Sequence, residues 1–257
     1  MLLKFVEKIG DKTITLFREF YLALEFSILC LLHMINPRSY NSTMQRSLVH
    51  QIYHTSITIL PTFTLIAFLF GSIVIGTIIS IATKYNLQIQ IGSIIVNFVI
   101  NEFSPIFTAL FISLRSGTLI NKKLAFIDFE NEVDLIDNIV LPRIISGILS
   151  TLTLSILFSI IMIVSAYIFI SLFMGIDFHS YKQLLFNAFE INNIVILFFK
   201  SIAFGFVVML IPIYHGLRIA QNNLAKRISL INTLVKLFFA IFFIEVFSLL
   251  LLALFNI

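Results

Sequence analysis

The chain has 257 residues, of which 59% are hydrophobic and 12% are charged. Its mean hydropathy of +1.05 is too high for a soluble domain of this length, so the composition predicts an all-α polytopic membrane protein with one domain over residues 1–257. The net charge of +4 is spread over short loops, which argues against a nucleic-acid-binding surface. The single cysteine, Cys30, excludes an intrachain disulfide and a cysteine metal cluster.

The N-terminal region, residues 1–50, is predicted to be cytoplasmic and interfacial. Residues 13–35 are apolar but contain Arg18, Glu19 and Glu25, a pattern typical of an amphipathic helix lying in the membrane interface. Asn36-Pro37 is expected to end that helix. A sixth span over the same residues is the less favoured alternative. The mixed charges of the first twenty residues do not fit a cleavable signal peptide.

Five apolar segments form a predicted transmembrane bundle over residues 55–257. Each is long enough to cross a bilayer, which needs about 20 residues. The segments are 55–83, 91–114, 144–176, 194–217 and 230–257. The segment GIDFHSYKQLLFNAFEINN between the third and fourth spans predicts a loop with a short amphipathic helix.

The distribution of basic residues predicts the orientation of the bundle. Fourteen Lys and Arg residues lie on the side of the N-terminus, two lie on the other side, and Lys200 lies within a span. Since short cytoplasmic loops carry the excess of basic residues, the N-terminus is predicted to be cytoplasmic. Five spans then place the C-terminus on the opposite side.

Three charged residues fall inside the predicted spans: Glu102, Lys200 and Glu245. Ionised groups at this depth face a protein interior or a water-filled cavity, so the three could form a buried pair or a proton relay. Alternatively, Lys200 only extends towards the interface or satisfies a break in its helix. For Glu102, the alternatives are a cavity shared with lipid and a buried ion pair with Lys200 or Arg115.

Motifs for catalysis and nucleotide binding are absent from the sequence. There is no GxxxxGK[ST], no GxSxG and no HExxH, so we expect neither an enzyme nor a nucleotide site, and no cofactor. His50 and His54 in HQIYH have the spacing of two zinc ligands, but the glutamate that would act as a base is missing. We interpret them as interfacial histidines.

An acidic segment lies between the second and third spans. In DFENEVDLID, acids including Glu130, Glu132 and Asp134 alternate with apolar residues, which predicts a short amphipathic helix on the cytoplasmic surface. A docking surface for a soluble partner would explain acids on this side, and a solvated acidic loop is the alternative.

The segment NEFSPIFTALFISLRSG resembles the signature of the MlaE family of lipid ABC-transporter permeases. The resemblance rests on a Glu-x-x-Pro…Arg-x-Gly pattern. It is formed by Glu102, Pro105, Ala109, Leu110, Arg115 and Gly117, with Asn101 at a position where the family has a basic residue. Further residues are similar to the family in order along the chain: Gln51, Tyr53, Pro61, Gly71, Pro142, Arg143, Lys200, Gly216 and Glu245.

This resemblance implies a permease subunit that moves phospholipids between the inner and outer membranes of a bacterium. It implies a homodimer, a separate cytoplasmic ABC ATPase, a periplasmic MCE-domain protein and, in some systems, a STAS-domain protein. Asn101, Glu102, Pro105 and Arg115 would border the lipid pathway. Glu130, Glu132 and Asp134 would lie on a coupling helix that contacts the ATPase. Gly71, Lys200, Gly216 and Glu245 would serve packing or intramembrane polar contacts.

An alternative function is an export-gate subunit of a secretion apparatus, which is also a small polytopic protein rich in Phe and Ile. Such a subunit does not require the Glu-x-x-Pro…Arg-x-Gly spacing. An intramembrane enzyme is less favoured, because no set of nucleophile, base or metal ligands converges in the sequence.

Overall fold

The computed structural model describes residues 2–117, 135–222 and 226–255, and these ranges form helices without a strand. The helices are α1 (Leu2–Ile35), α2 (Ser42–Lys84), α3 (Ile91–Arg115), α4 (Ile136–Met174), α5 (Phe178–Ala188), α6 (Ile191–Asn222) and α7 (Lys226–Phe255). Five of them, α2, α3, α4, α6 and α7, are long and apolar enough to cross a membrane, which confirms the predicted all-α membrane protein.

Some helix boundaries differ from the predicted spans. The first spanning helix begins at Ser42, because the helix Ser42–Ile52 continues through a wide turn into the apolar span. Helix α6 extends to Asn222, since RIAQNN contains no Gly or Pro that would end it. Residues 118–134, which include most of the predicted coupling helix, lie outside the described ranges.

Wide π-helical turns precede three of the prolines. They cover Tyr53–Ile57 before Pro61, Ile95–Phe103 before Pro105 and Ile136–Val140 before Pro142. A proline cannot donate to the carbonyl four residues earlier, and its ring clashes with that carbonyl. We infer that the wider turns relieve this clash, so that α2, α3 and α4 remain continuous.

Helix α4 lies at the centre of the bundle and packs against α2, α3 and α6. Small side chains line its buried face, and the Thr151 hydroxyl donates to the Ser201 carbonyl of α6 at 2.9 Å. A Cβ atom at Gly205 would meet the Ile148 Cα atom at 2.7 Å. Small residues at such crossings allow helix backbones to approach closely inside a membrane. The face is formed by Ser146, Gly147, Ser150, Thr151, Ser155 and Ser159.

The N-terminal helix α1 is attached to the bundle on the side where α4 begins. His33 Nδ1 lies 2.8 Å from Asp137 Oδ1. Apolar residues Ile28, Leu32 and Ile35 are exposed at intervals of four and three, so they share one face of the helix. An attached helix with an exposed apolar face fits the predicted amphipathic helix at the membrane interface.

Short connections join the spans on the opposite side of the bundle. Asn86 adopts a left-handed backbone conformation with φ 56° in the turn after α2. Gly175 does so with φ 64° after α4, where a residue without Cβ is favoured. The Tyr181 hydroxyl of α5 donates to the Ile163 carbonyl at 2.8 Å, and burial raises the pKa of Tyr181. These contacts hold the predicted short helix against α4.

Candidate functional site

A wide turn of α3 carries the acid that the sequence singles out. Glu102 lies in the π-helical segment Ile95–Phe103, directly before the α-helical segment that begins at Ser104. Turns of this kind are rare and occur frequently at functional sites. Because Pro105 leaves the carbonyl of Asn101 without its usual donor, the local widening has a cause in the sequence. The turn thus displaces Glu102 from a regular helical position.

Three spans meet at Lys200, which contacts two carboxylates. Its Nζ donates to Glu102 Oε2 of α3 and to Glu245 Oε1 of α7, the second at 2.9 Å. The Lys200 side chain is 2% exposed, while those of Glu102 and Glu245 are 14% and 11% exposed. We call these three residues the core cluster. These buried ion pairs connect α3, α6 and α7.

The core cluster lies near the middle of the spans. Glu102 is eleven residues from the start of α3, Lys200 is nine from the start of α6, and Glu245 is ten from the end of α7. At about 1.5 Å per residue, each lies roughly 14–17 Å from the same end of the bundle. Since the apolar layer of a bilayer is about 30 Å thick, this depth corresponds to its midplane.

Polar contacts anchor α3 on both sides of Glu102. The Asn101 amide donates to Asn193 Oδ1 of α6 at 2.9 Å, and Asn101 is 4% exposed. The Ser104 hydroxyl donates to the Ser155 carbonyl of α4 at 2.6 Å and accepts from Ser159 at 3.0 Å. These hydrogen bonds fix the rotation of α3, and therefore the direction in which Glu102 points.

An aromatic surface lies between α2 and α3, and it includes Phe103, the residue that follows Glu102 in the chain. Phe103 stacks on Phe70 and on Phe98 with ring centroids 6.0 and 6.3 Å apart, and Phe70 also stacks on Phe107 at 5.4 Å. Phe70 and Phe98 are 45% and 50% exposed. This surface, formed by Phe70, Phe98, Phe103 and Phe107, is termed the aromatic wall. In the sequence, the four-residue spacing of Phe103 and Phe107 indicates that both rings lie on one face of α3.

The profile of the family Permease MlaE matches residues 48–251 of the chain. The match extends from α2 into α7 and includes all three residues of the core cluster. The chain belongs to the MlaE permease family. Two relatives from Rickettsia are each described as a probable ABC transporter permease protein. The one from Rickettsia prowazekii is 24% identical over 226 residues and the one from Rickettsia typhi 22% over 224, with 84% of this chain and 85% of the relative covered in both cases.

Of the four predicted pathway residues, three lie within about one turn of α3 and Arg115 lies further along the same helix. Glu102 joins the core cluster, and Pro105 is buried one turn further along α3. Arg115 is thirteen residues from Glu102, about 20 Å along the helix, so Lys200 and not Arg115 is the ion-pair partner of Glu102. Asn101 is held by Asn193, a residue that sequence reasoning did not single out.

The packing residues of the permease lie in the interior. A Cβ atom at Gly71 of α2 would collide with the Met162 sulfur of α4, and Gly216 is buried in α6. The predicted coupling residues Glu130, Glu132 and Asp134 lie outside the described residues. His50 and His54 pack edge to face with ring centroids 4.5 Å apart. Among the described residues, no group of three His, Cys, Asp or Glu side chains could hold a metal ion.

Proposed function

We propose that this permease moves phospholipids between the inner and outer membranes, as a homodimer that works with a separate ABC ATPase. The observation that carries the proposal is the family match over residues 48–251, which includes the Glu-x-x-Pro…Arg-x-Gly segment of α3. The description of the relatives as ABC transporter permeases implies an ATPase partner. We infer no nucleotide site in this chain, because its sequence has no P-loop.

The lipid pathway is assigned to the surface of α2 and α3. The aromatic wall offers apolar area for acyl chains, and Glu102, the residue before Phe103 in α3, has 14% of its side chain exposed and would supply a polar group next to it. In this proposal Asn101 sets the direction of Glu102 through its bond to Asn193, while Pro105 produces the widened turn. Arg115 would act at the cytoplasmic end of the pathway.

Each proposed partner is assigned to one side of the membrane. The ATPase would dock on the cytoplasmic side through Glu130, Glu132 and Asp134, with a STAS-domain protein as a further possible component there. A periplasmic MCE-domain protein would bind at the opposite side. The basic residues support a bacterial inner-membrane location with a cytoplasmic N-terminus. A reporter fused after Ile257 is expected to be active only in a periplasmic format, and a cytoplasmic signal would contradict five spans.

Purification in mild detergent, followed by reconstitution, tests the proposal. We expect an ABC ATPase and phospholipid to co-purify with the chain, and the complex to move a fluorescent phospholipid only with hydrolysable ATP. The double substitution Glu132→Lys and Asp134→Lys should release the ATPase, whereas Glu190→Lys, an exposed control beyond α5, should not. Co-purification of other export subunits without an ATPase would favour the export-gate alternative, which the family match disfavours.

A further inference from the structure

The core cluster has an unbalanced charge. Lys200 supplies one positive charge, and it is the only cation that contacts Glu102 and Glu245 in the described structure. With both carboxyls ionised, the cluster would carry one net negative charge at the midplane. An uncompensated charge at this depth costs about 3 kcal/mol or more even on insertion scales. The imbalance therefore requires a further positive species.

Among the described residues of the surrounding helices, no other charged or titratable side chain lies close enough to supply that charge. On α7, Lys236 is nine residues from Glu245, and on α6, Tyr214 is fourteen from Lys200. On α3, Arg115 is thirteen residues from Glu102. On α4, Arg143 and Tyr167 are each twelve residues from Ser155, which contacts α3 beside Glu102. Separations of nine or more residues correspond to about 14 Å or more along a helix.

One carboxylate oxygen marks where the missing species would bind. Glu245 is 8% exposed, and its Oε1 accepts the hydrogen bond from Lys200. Its Oε2 is buried without a hydrogen-bond partner among the described residues, although it lies 2.9 Å from Lys200 Nζ. A buried acceptor without a donor is costly, and a proton on one carboxyl would convert an acceptor into a donor.

We propose that the core cluster binds one proton, held by the carboxyls of Glu102 and Glu245, so that with Lys200 the cluster is neutral in the folded protein. A metal cation fits less well, because the ammonium of Lys200 already lies between the two carboxyls. The inference goes beyond the proposed function. The proton is bound by the folded protein itself, so its presence does not depend on which cargo the permease carries.

The proton has a measurable effect on stability. Glutamates of the unfolded chain are ionised at neutral pH, so the folded protein would bind one proton more than the unfolded chain. Stability must then fall as pH rises. We expect the thermal midpoint of the purified full chain in detergent to fall by several degrees from mildly acidic to mildly alkaline pH. Glu102→Gln and Glu245→Gln, which mimic a protonated carboxyl, should each remove most of this fall.

Infrared spectroscopy on ¹³C-glutamate-labelled protein provides a second, direct readout. We expect a protonated-carboxyl band at neutral pH in wild type, lost in both variants, because the remaining glutamate then balances Lys200, and lost from wild type at alkaline pH. Glu190→Gln, which removes an exposed carboxyl, is the matched control and should keep both the band and the pH dependence. If the two core variants fail to fold, the labelled wild-type band and its loss at alkaline pH decide the question.

Two results would overturn the proposal. One is a wild-type spectrum without a protonated glutamate band at neutral pH. The other is a thermal midpoint that depends on Na⁺, compared with choline at equal ionic strength, and not on pH, which would identify a metal cation in place of the proton. Either result is independent of the ATPase and transport assays, so failure here and failure of the proposed function can be told apart.

Discussion

Two charge clusters join the same pair of helices, α6 and α7, at different depths. In the core cluster one base, Lys200, contacts two acids. In a second cluster, here called the surface cluster, one acid contacts two bases: Glu19 of α1 lies 3.4 Å from Arg218 and 2.9 Å from Lys236. The core cluster has two acids for one base and is buried, whereas the surface cluster has two bases for one acid and is partly exposed.

Exposure to solvent decides how much free energy an unbalanced charge costs. The side chains of the surface cluster are 33–44% exposed, so water screens the excess positive charge. The core cluster is buried at the midplane, where the excess negative charge of two ionised carboxyls would have no such screening, and the proton proposed above removes that charge. The surface cluster therefore links α1 to α6 and α7 at an exposed site, while the core cluster links α3, α6 and α7 in the interior.

The largest expected effect comes from removing the central base. Lys200→Met leaves Glu102 and Glu245 buried without a cation, and breaking a buried ion pair in this way costs about 3–5 kcal/mol. The thermal midpoint in detergent should fall strongly. Lys236→Met in the surface cluster is the matched control, and a loss of equal size in both variants would contradict the comparison.

A smaller effect is expected from Glu102→Gln, because Lys200 keeps its contact with Glu245. We expect a stability change of about 0.5–1.5 kcal/mol, the range of one net hydrogen bond. If Glu102 borders the lipid pathway, phospholipid transfer per folded protein should change more than stability does. A large loss of stability with normal transfer by the surviving protein would instead show that the glutamate is structural.

The smallest effect is expected from Glu19→Gln in the surface cluster. Exposed ion pairs contribute about 0.2–1 kcal/mol. The contribution should shrink further in high salt, where the screening length falls to about 3 Å at 1 M. Protease cleavage or hydrogen exchange within α1 measures it. Equal protection of α1 in wild type and variant at low salt would show that Glu19 does not hold this helix.

The surface cluster also predicts a dependence on acid. The hydrogen bond from Lys236 lowers the pKa of Glu19, with smaller contributions from the charges of Lys236, Arg218 and His215, against a rise from burial. A lowered pKa means that the stabilisation is present above the pKa of the unfolded chain and is lost as pH falls through that of the folded protein. Protection of α1 in wild type should therefore decrease in acid, and Glu19→Gln should remove this decrease.

Much of the architecture follows from composition and the order of residues. Uncharged apolar runs specify the spans, since a bilayer requires about 20 apolar residues with their backbone hydrogen bonds satisfied internally. Pro61, Pro105 and Pro142 mark places where a regular helix cannot continue unchanged. The exact starts of the helices were less predictable, because Ser42–Ile52 is polar and becomes helical as an extension of the span.

The sequence by itself determined which polar residues enter the membrane: Glu102, Lys200 and Glu245 are visible as charges in apolar runs. Their partners stayed open, with Lys200 and Arg115 as alternatives for Glu102, because an ion pair between helices depends on how each helix is rotated. Only the tertiary structure decided it. Hydrogen bonds from Asn101 to Asn193 and from Ser104 to Ser155 set the rotation of α3, and the small residues of α4 bring the spans close enough for one lysine to reach two acids.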